Sequence, residues 1–303
     1  MFAGIESGGT KWVCMIANHP GDIRATTRFP TREPDSTISK AIEFIQSEVG
    51  DLSSLRGIGI GSFGPLDLNS ASPTYGFLTT TPKPGWAHFD LITPFIQEFN
   101  LPIGFDTDVN AAALGEQRWG AGRECSDFIY LTVGTGIGGA AVVNHELVHG
   151  LIHPEMGHMR IPHDWDRDPF PGICPYHGDC LEGLATGPAI NARWDQPGED
   201  LVPEHPAWQL EAHYLALGIA NLVTTLSPKR VILGGGVMDQ VQLFPLIRAE
   251  VRTILGDYIS APQITTTNQD YILPPALGSQ AGVLGAVALA IRAAEQQGNP
   301  GNQ

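Results

Sequence analysis

Short apolar segments alternate with amphipathic segments along most of the chain, a pattern typical of an α/β protein. Strands are predicted where apolar residues run together, at 2–6, 12–17, 58–60, 103–105, 128–133, 140–143 and 231–233. Helices are predicted where apolar residues recur every three or four positions, at 38–49, 91–99, 210–222 and about 278–296. Asp35 or Ser36 is expected to cap the first helix. The proline-rich stretch 73–86 is expected to be an irregular loop or a substrate flap.

The stretch from Ile103 to Glu116 puts carboxylates where a strand ends and an alanine-rich helix begins. Ligands of α/β proteins bind at such strand ends. A carboxylate there can accept a proton from a substrate hydroxyl, so Asp108 is a candidate general base. On this stretch alone the commoner alternative is structural: Asp106 and Asp108 would cap the helix and pair with its dipole.

Two loops rich in glycine and threonine, Ser7 to Lys11 and Gly134 to Gly139, each join two predicted strands. Such loops can turn several backbone amides toward an anion, although the first loop, taken alone, is more often a plain tight turn. The second loop matches GxGxxG, but a strand follows it where the dinucleotide fingerprint requires a helix. No GxxxxGK[ST] motif is present, which excludes a P-loop. A third run, Gly234 to Gly236, follows a strand, opens a helix and permits close approach of a phosphate or a flat ligand.

The most specific local motif is Cys174-x2-His177-x2-Cys180. Two thiols and an imidazole at this spacing suit tetrahedral zinc, and the alternative is a chance cluster of exposed residues. The fourth ligand is expected to be His158, with His153 and His163 as alternatives. With four protein ligands the site would be structural, and it would fix the flanking carboxylates Glu155 and Glu182 in one pocket wall.

Composition limits the classes of partner. The 303 residues suggest about two domains, and 42% apolar with 16% charged residues is typical of a globular protein. The net charge of −15, with 17 basic residues, argues against nucleic acid and anionic membrane. A bound phosphate would have to be neutralised by amides, helix ends and a metal ion. No signal peptide is recognised, so a cytoplasmic location is expected, where four cysteines indicate thiols or metal ligands.

Together these motifs resemble the ROK family of sugar kinases, and most closely its fructokinase branch. The resemblance is carried by Glu6 to Lys11, the Asp108 segment, Gly134 to Gly139, Glu155 to His158, Cys174 to Glu182 and Gly234 to Met238. It implies the α/β actin-like ATPase (ribonuclease H-like) fold, with two lobes and a central cleft. The expected lobes are a small one, 1–115 completed by a helix at about 282–297, and a large one, 116–281, with the zinc-binding loop.

The resemblance also implies residue roles, with Asp108 as the general base on the sugar. The implied sugar-binding residues are Gly64, Pro65, Thr107, Asp108, Glu155, His158 and Glu182. The implied nucleotide-binding residues are Gly8, Gly9, Thr10, Lys11, Thr132, Thr135, Gly136, Pro188, Gly234, Gly235, Gly236, Val237 and Met238. The implied metal ligands are His158, Cys174, His177 and Cys180. The family usually has Asn where Thr107 stands, which puts one sugar contact in doubt.

The expected reaction is transfer of the γ-phosphoryl group of ATP to a hexose, and the expected hexose is D-fructose, which would become fructose 6-phosphate. Mg²⁺ is expected on the ATP phosphates, and Zn²⁺ is expected as a structural ion. A homodimer is common in the family. Glucose, mannose or an N-acetylhexosamine is the nearest alternative substrate. A sugar-sensing repressor would need a DNA-binding segment ahead of residue 1 and basic charge. A zinc-stabilised interaction module would leave the phosphate loops unexplained.

Overall fold

A computed structural model describes residues 1–265 and 269–298. The strands are β1 (Phe2–Ser7), β2 (Lys11–His19), β3 (Asp22–Pro30), β4 (Ile58–Ser62), β5 (Ile103–Thr107), β6 (Phe128–Val133), β7 (Ile137–Val143), β8 (Glu146–Leu147), β9 (Arg230–Gly234) and β10 (Ile272–Leu273). The α-helices are α1 (Pro34–Val49), α2 (Thr93–Phe99), α3 (Asp108–Trp119), α4 (Leu181–Leu184), α5 (Gly187–Trp194), α6 (Ala207–Leu226), α7 (Leu243–Leu255), α8 (Pro262–Thr265) and α9 (Ala281–Gly298).

The described residues fall into two compact units. Unit 1 comprises Met1–Arg123, Leu147–His153 and the segment that begins at Ser279, and unit 2 comprises Glu124–Glu146 and Pro154–Gly278. The lobe boundaries expected from the sequence stay a prediction. None of the described helices combines the length and the apolar character needed to cross a lipid bilayer.

Each unit is built on a mixed sheet. The strand order is β3-β2-β1-β4-β5 in the first sheet and β10-β9-β6-β7-β8 in the second. In the first sheet β1 runs antiparallel to β2 and parallel to β4, and β4 runs parallel to β5. In the second sheet β6 runs antiparallel to β7 and parallel to β9. A hairpin followed by parallel strands therefore occurs twice, so each sheet has a hairpin loop at the carboxyl end of its first strand.

A row of glycines brings helix α9 onto the first sheet. Gly4, Gly59 and Gly104 stand side by side on β1, β4 and β5. A Cβ atom at Gly59 would lie 1.8 Å from the carbonyl oxygen of Ala286 on α9, and one at Gly104 would lie 2.3 Å from that of Leu289. The row therefore lets the helix backbone reach the sheet, and α9 fills one of its faces.

The opposite face of the first sheet carries the main apolar core of unit 1. Its largest fully buried side chains include Trp12, Trp86 and Phe95. The indole rings of Trp12 and Trp86 are 5.8 Å apart. The Trp86 indole donates to the carbonyl of Arg32 at 2.9 Å, which anchors the irregular loop 73–86 to the core. That stretch is an irregular loop, one of the two expected forms.

Three expectations about elements need correction. Helix α1 begins at Pro34, ahead of Asp35 and Ser36, with Glu33 as a cap residue that makes no side-chain capping bond. Proline suits the first helical position because its fixed φ is already helical and its missing N–H has no helical partner there. Strand β3 was not predicted. The segment after Gly234 forms only a short 3₁₀ turn, Gly236–Asp239, before α7.

Glu211 on α6 is a buried acid, 1% exposed. Among the described residues neither of its carboxyl oxygens finds a hydrogen-bond partner. Burial raises its pKa to about 8, from the ordinary value of 4.5, and the charge of Arg193 opposes the rise only partly. Between these two pH values the unfolded chain releases the proton while the folded chain retains it. Stability from this group is therefore lost as pH rises from about 4.5 to about 8.

We expect Glu211→Gln to stabilise the protein increasingly as pH rises. A pKa unit corresponds to about 1.4 kcal/mol, so the gain in unfolding free energy should be larger at pH 8 than at pH 5.5 by roughly 3 kcal/mol. Urea unfolding at both pH values measures it. Glu43→Gln, at an exposed position of α1, is the matched control and should show no such difference. If the difference in unfolding free energy between Glu211→Gln and the wild type were the same at both pH values, Glu211 would not be a buried acid that stays neutral in the folded protein.

Candidate active site

Asp108 is the first residue of α3, directly after β5. Thr107 is the N-cap, and its hydroxyl accepts the Asn110 amide at 3.1 Å. One Asp108 carboxylate oxygen accepts the Val109 amide at 2.8 Å, and the side chain is half-buried. The helix is thus capped by Thr107, and not by Asp106 or Asp108 as the structural alternative held. Asp108 lies at the amino end of the helix, where the backbone dipole attracts negative charge.

Asp106 is buried and accepts hydrogen bonds from three sides. Its Oδ1 accepts the Thr107 backbone N–H and the Asn110 side-chain amide, both at 2.7 Å. Its Oδ2 lies 2.9 Å from His149 Nε2. Asp106, Asn110 and His149, named here the Asp106 clamp, therefore surround the turn that carries Asp108.

The first glycine loop joins β1 to β2 as predicted. Its ends are closed by the Gly8 amide, which donates to the Lys11 carbonyl at 3.0 Å. Thr31 holds the loop from β3's end: its hydroxyl donates to the Gly8 carbonyl at 2.6 Å and its amide to the Thr10 carbonyl at 2.9 Å. A Cβ atom at Gly9 would meet no other atom within 4 Å. The protein's own packing does not require glycine there, whereas close approach of a phosphate to the loop would.

This loop and Asp108 lie at the same edge of the first sheet. Ser7, Ser62 and Thr107 are register partners at the ends of the parallel strands β1, β4 and β5. At about 4.8 Å between neighbouring strands, the ends of β1 and β5 are roughly 10 Å apart. A phosphoryl group at the loop and a hydroxyl at Asp108 would fit within that span.

Gly64 and Pro65 follow β4 at this edge. The adjacent Leu66 amide donates to His153 Nε2 at 3.0 Å, and a Cβ atom at Gly64 would lie 3.4 Å from that ring. His153 is buried in unit 1, where its ring accepts this hydrogen bond. It is not part of the group of candidate metal ligands that contains Cys174 and Cys180.

The nucleotide-binding candidates of unit 2 lie on three adjoining segments. Thr132 is the last residue but one of β6, and the loop Gly134–Gly136 follows this strand. The Gly134 amide closes the loop by donating to the Gly136 carbonyl at 2.9 Å. The Gly187 amide, at the start of α5 beside Pro188, donates to the Gly134 carbonyl at 2.9 Å. Gly235, with φ +91°, would clash through a Cβ with the Val133 carbonyl at 2.3 Å. The segment Gly234–Met238 therefore packs directly against the second loop.

Glu182 connects the second loop to the metal-binding candidates. Its Oε2 accepts the Ile137 amide at 3.0 Å, and its Oε1 lies 3.9 Å from His158 Nδ1. Glu155 precedes the 3₁₀ turn Met156–His158. Desolvation first, and the Glu182 carboxylate second, raise the pKa of Glu155 to about 6. Two carboxyls and an imidazole in unit 2 thus offer acceptors and a donor suited to sugar hydroxyls.

The four expected metal ligands come together in unit 2. One ligand atom from each of His158, Cys174, His177 and Cys180 lies within 4.8 Å of the others. Cys174 Sγ is 3.7 Å from His158 Nδ1 and 3.6 Å from His177 Nδ1, and Cys180 Sγ is 3.8 Å from His158 Nδ1. Tetrahedral Zn²⁺, at about 2.3 Å from sulfur and about 2.0 Å from nitrogen, separates the two by about 3.5 Å. The donor set fits zinc.

The alternative ligand His163 lies outside this cluster. Its Nδ1 is 3.2 Å from Asp179 Oδ2, and its Nε2 is 2.9 Å from the Asp168 carbonyl oxygen. Arg160 supports the same loop, through Asp179 at 2.8 Å and the His177 carbonyl at 2.6 Å. Such contacts orient the ligand-bearing loop.

Residues that support the site were not predicted from the sequence. These residues are Thr31, His149, Arg160 and Asp179. The first three contact predicted segments from elsewhere in the chain, and Asp179 lies inside the metal motif itself. For His149, Arg160 and Asp179 a signal was available, because all three are ionisable residues in or near predicted motifs. Thr31 gave none.

Comparison with known proteins decides the family. The model of the ROK family matches residues 2–293. The chain belongs to the ROK family. A fructokinase of Zymomonas mobilis is 41% identical over 297 residues, covering 97% of each chain, and one of Pediococcus pentosaceus is 39% identical over 290 residues, covering 96% of this chain and 97% of the relative.

Among solved structures, a ROK family glucokinase from Streptomyces griseus, in complex with glucose and AMPPNP, is 26% identical. It matches with a TM-score of 0.73 over 96% of this chain and 99% of its own. The predicted actin-like α/β fold is thereby confirmed, as is membership of the ROK family. In this ROK protein each unit carries one glycine hairpin at the end of its central strand.

Proposed function

We propose that this protein transfers the γ-phosphoryl group of ATP to D-fructose and forms fructose 6-phosphate. The observation that carries the proposal is that Asp108 and the Gly8–Lys11 loop lie at one sheet edge. They are close enough for a phosphoryl group bound at the loop to pass to a hydroxyl bound at Asp108. Curated relatives at 39% and 41% identity over nearly the whole chain, both named fructokinase, support fructose as the sugar.

The proposed mechanism rests mainly on placement. Phosphoryl transfer requires in-line positioning, charge neutralisation and exclusion of water. Asp108 would accept the proton of the 6-hydroxyl as the oxygen attacks the γ-phosphorus and ADP leaves. Mg²⁺ bound with the nucleotide would offset triphosphate charge, which matters in a chain of net charge −15.

The proposed sugar contacts are those that the family resemblance implies: Gly64, Pro65, Thr107, Glu155, His158 and Glu182. His158 turns Nδ1 toward the thiols, so Nε2 is the ring atom proposed for a sugar hydroxyl. Bound zinc would keep this ring and the adjoining Glu182 in place.

The nucleotide would be held largely by backbone. The proposed phosphate contacts are Gly8, Gly9, Thr10 and Lys11 from the first loop and Thr132, Thr135 and Gly136 from the second. Pro188 and the segment from Gly234 to Met238 are the proposed adenosine contacts. Backbone amides bind phosphate without adding cationic side chains.

An ADP-release assay across a panel of hexoses, with and without Mg²⁺, tests this function. We expect Mg²⁺-dependent ADP release with the highest kcat/KM for D-fructose. If kcat/KM were higher for glucose, mannose or an N-acetylhexosamine than for D-fructose, the sugar substrate would be reassigned and the kinase activity would still stand. Failure of every hexose to release ADP would refute the proposal.

A substitution at Gly9 tests the first phosphate loop. Because a Cβ atom there meets no protein atom within 4 Å, Gly9→Ala should fold with an unchanged melting temperature. The methyl group would occupy the space proposed for a phosphate, so KM for ATP should rise about tenfold or more, with KM for fructose little changed. Steady-state kinetics measure both constants.

The control is Gly21→Ala in the loop between β2 and β3, where a Cβ atom makes an ordinary contact of 3.4 Å. It should leave both KM values unchanged. An unaltered KM for ATP in Gly9→Ala would show that the first loop does not approach the phosphates.

A further inference from the structure

The Asp106 clamp is a charged network that the proposed mechanism leaves without a role. The Asp106 side chain is almost completely buried, 5% exposed as a residue, at the end of β5. Burying a carboxylate is costly unless donors surround it. Two of its donors, the Thr107 amide and the Asn110 side chain, flank Asp108 in sequence on either side. A carboxylate that binds both flanks fixes the backbone of the turn between them.

The third donor comes from far along the chain. His149 belongs to the segment Leu147–His153 of unit 1, 43 residues from Asp106. Its Nε2 lies 2.9 Å from Asp106 Oδ2, and because a carboxylate oxygen accepts, Nε2 is the donor of this hydrogen bond. Asn110 Nδ2 lies 3.2 Å from Nε2, because both donate to the same carboxylate.

The charges around His149 favour its protonated form. The hydrogen bond to Asp106 is the largest cause of a raised His149 pKa, burial opposes it, and the Asp106 charge adds to it. Arg292 on α9 is the opposing cation, and Asn110 on α3 is the neutral neighbour. The His149 side chain is 40% exposed and that of Asp106 is 7% exposed, so the carboxyl group is enclosed while the imidazole ring reaches solvent.

We propose that His149 is a positioning residue for phosphoryl transfer: paired with Asp106, it locks the β5–α3 turn so that Asp108 meets the sugar hydroxyl in the reactive geometry. This inference rests on the proposed kinase function, because it assigns His149 a task in that reaction. His149 is not among the proposed sugar or nucleotide contacts, and it acts on the reaction through the clamp. Loss of the clamp should therefore slow the chemical step and leave binding of both substrates nearly intact.

Two variants of His149 separate charge from hydrogen bonding. His149→Gln keeps a donor without the charge, and His149→Ala removes both. We expect kcat with fructose to fall about tenfold in the first and about a hundredfold in the second, the size of loss caused by a misplaced catalytic group. KM for fructose and for ATP should change less than about threefold. Circular dichroism and melting temperature establish that each variant is folded.

The matched control is a second histidine–carboxylate pair. His213 on α6 lies 3.1 Å from Glu250 on α7, with side chains 26% and 35% exposed. His213→Gln removes the same chemical pairing away from the Asp108 turn. Its kcat and both KM values should equal those of the wild type.

The pH profile gives a readout that a purely structural role would not move. Below the raised pKa of His149 in the folded protein, the protonated ring forms an ion pair with Asp106. This ion pair is lost as pH rises through that pKa. Wild-type kcat should decline on this alkaline limb. His149→Gln, which has no ionising ring, should start lower and lack that limb.

A double-mutant cycle tests whether the two residues act as one unit. Asp106→Asn should lower kcat as His149→Ala does, and Asp106→Asn/His149→Ala should be no slower than the more damaging single variant. Additive losses would overturn the clamp as a unit. If the wild type is active and the His149 variants keep its kcat, whether or not KM rises, the role of His149 is overturned. A wild type without hexose-dependent ADP release would instead refute the proposed function.

Discussion

Asp108→Asn should bind fructose and ATP nearly as well as the wild type and turn over 10²- to 10⁴-fold more slowly, on the order of the contribution of a general base. The amide has nearly the shape of the carboxylate and can still accept the Val109 amide hydrogen bond, so the turn at the start of α3 should persist. It cannot accept the proton of the 6-hydroxyl. Steady-state kcat, with fructose affinity measured separately by calorimetry, gives the two quantities.

Asp35→Asn is the matched control for this substitution. Asp35 is also an acidic residue in the first turn of a helix of unit 1. It has a similar electrostatic relation to a helix N-terminus, and it lies on α1, which follows β3, the outer strand on the opposite side of the sheet from β5. Its kcat should match the wild type. If Asp108→Asn also turned over normally, the base would have to be sought elsewhere.

Removal of zinc should destabilise unit 2 and abolish most of the activity. The Cys174–Cys180 loop has little apolar core of its own, so a metal bond should contribute directly to its folding. A loss of several kcal/mol in a chain of this size corresponds to a melting temperature lower by about 10 °C. Glu182, which follows the loop and accepts the Ile137 amide, should lose its position as well. Thermal unfolding and kcat/KM before and after chelation measure both effects.

The variants Cys180→Ala and Cys125→Ala distinguish the metal from the loss of a buried thiol. Both cysteines are buried in unit 2, but only Cys180 belongs to the cluster. Cys180→Ala should contain little zinc by atomic emission and should melt at the temperature of the chelated wild type. Cys125→Ala should keep its zinc and its response to chelator. A chelated wild type that kept its stability and activity would remove zinc from the proposal.

Elements with strong local patterns were predictable from the sequence. Apolar periodicity located α9, and glycine after an apolar run located both hairpin loops. Strand β3 was missed because its partly buried residues alternate with exposed ones such as Arg28, whereas strands were predicted where apolar residues run together. Its pairing with β2 makes it a strand, and that pairing is not a local property.

The candidate site divides in the same way. Cys174, His177 and Cys180 lie within seven residues, so their spacing alone indicated a metal site. The Asp106–His149 pair is separated by 43 residues and is brought together only by the fold. The role of Thr107 as N-cap depended on whether the helix begins at Asp108 or one residue earlier, a distinction that sequence patterns do not resolve.

Because α9 rests on Gly4, Gly59 and Gly104, the order of synthesis separates the parts of unit 1 in time. The ribosome completes β1, β4 and β5 early, then makes all of unit 2, and only afterwards releases the helix that covers the glycine row. A nascent chain must therefore hold an uncovered sheet face while residues 108–280 emerge, 173 in number.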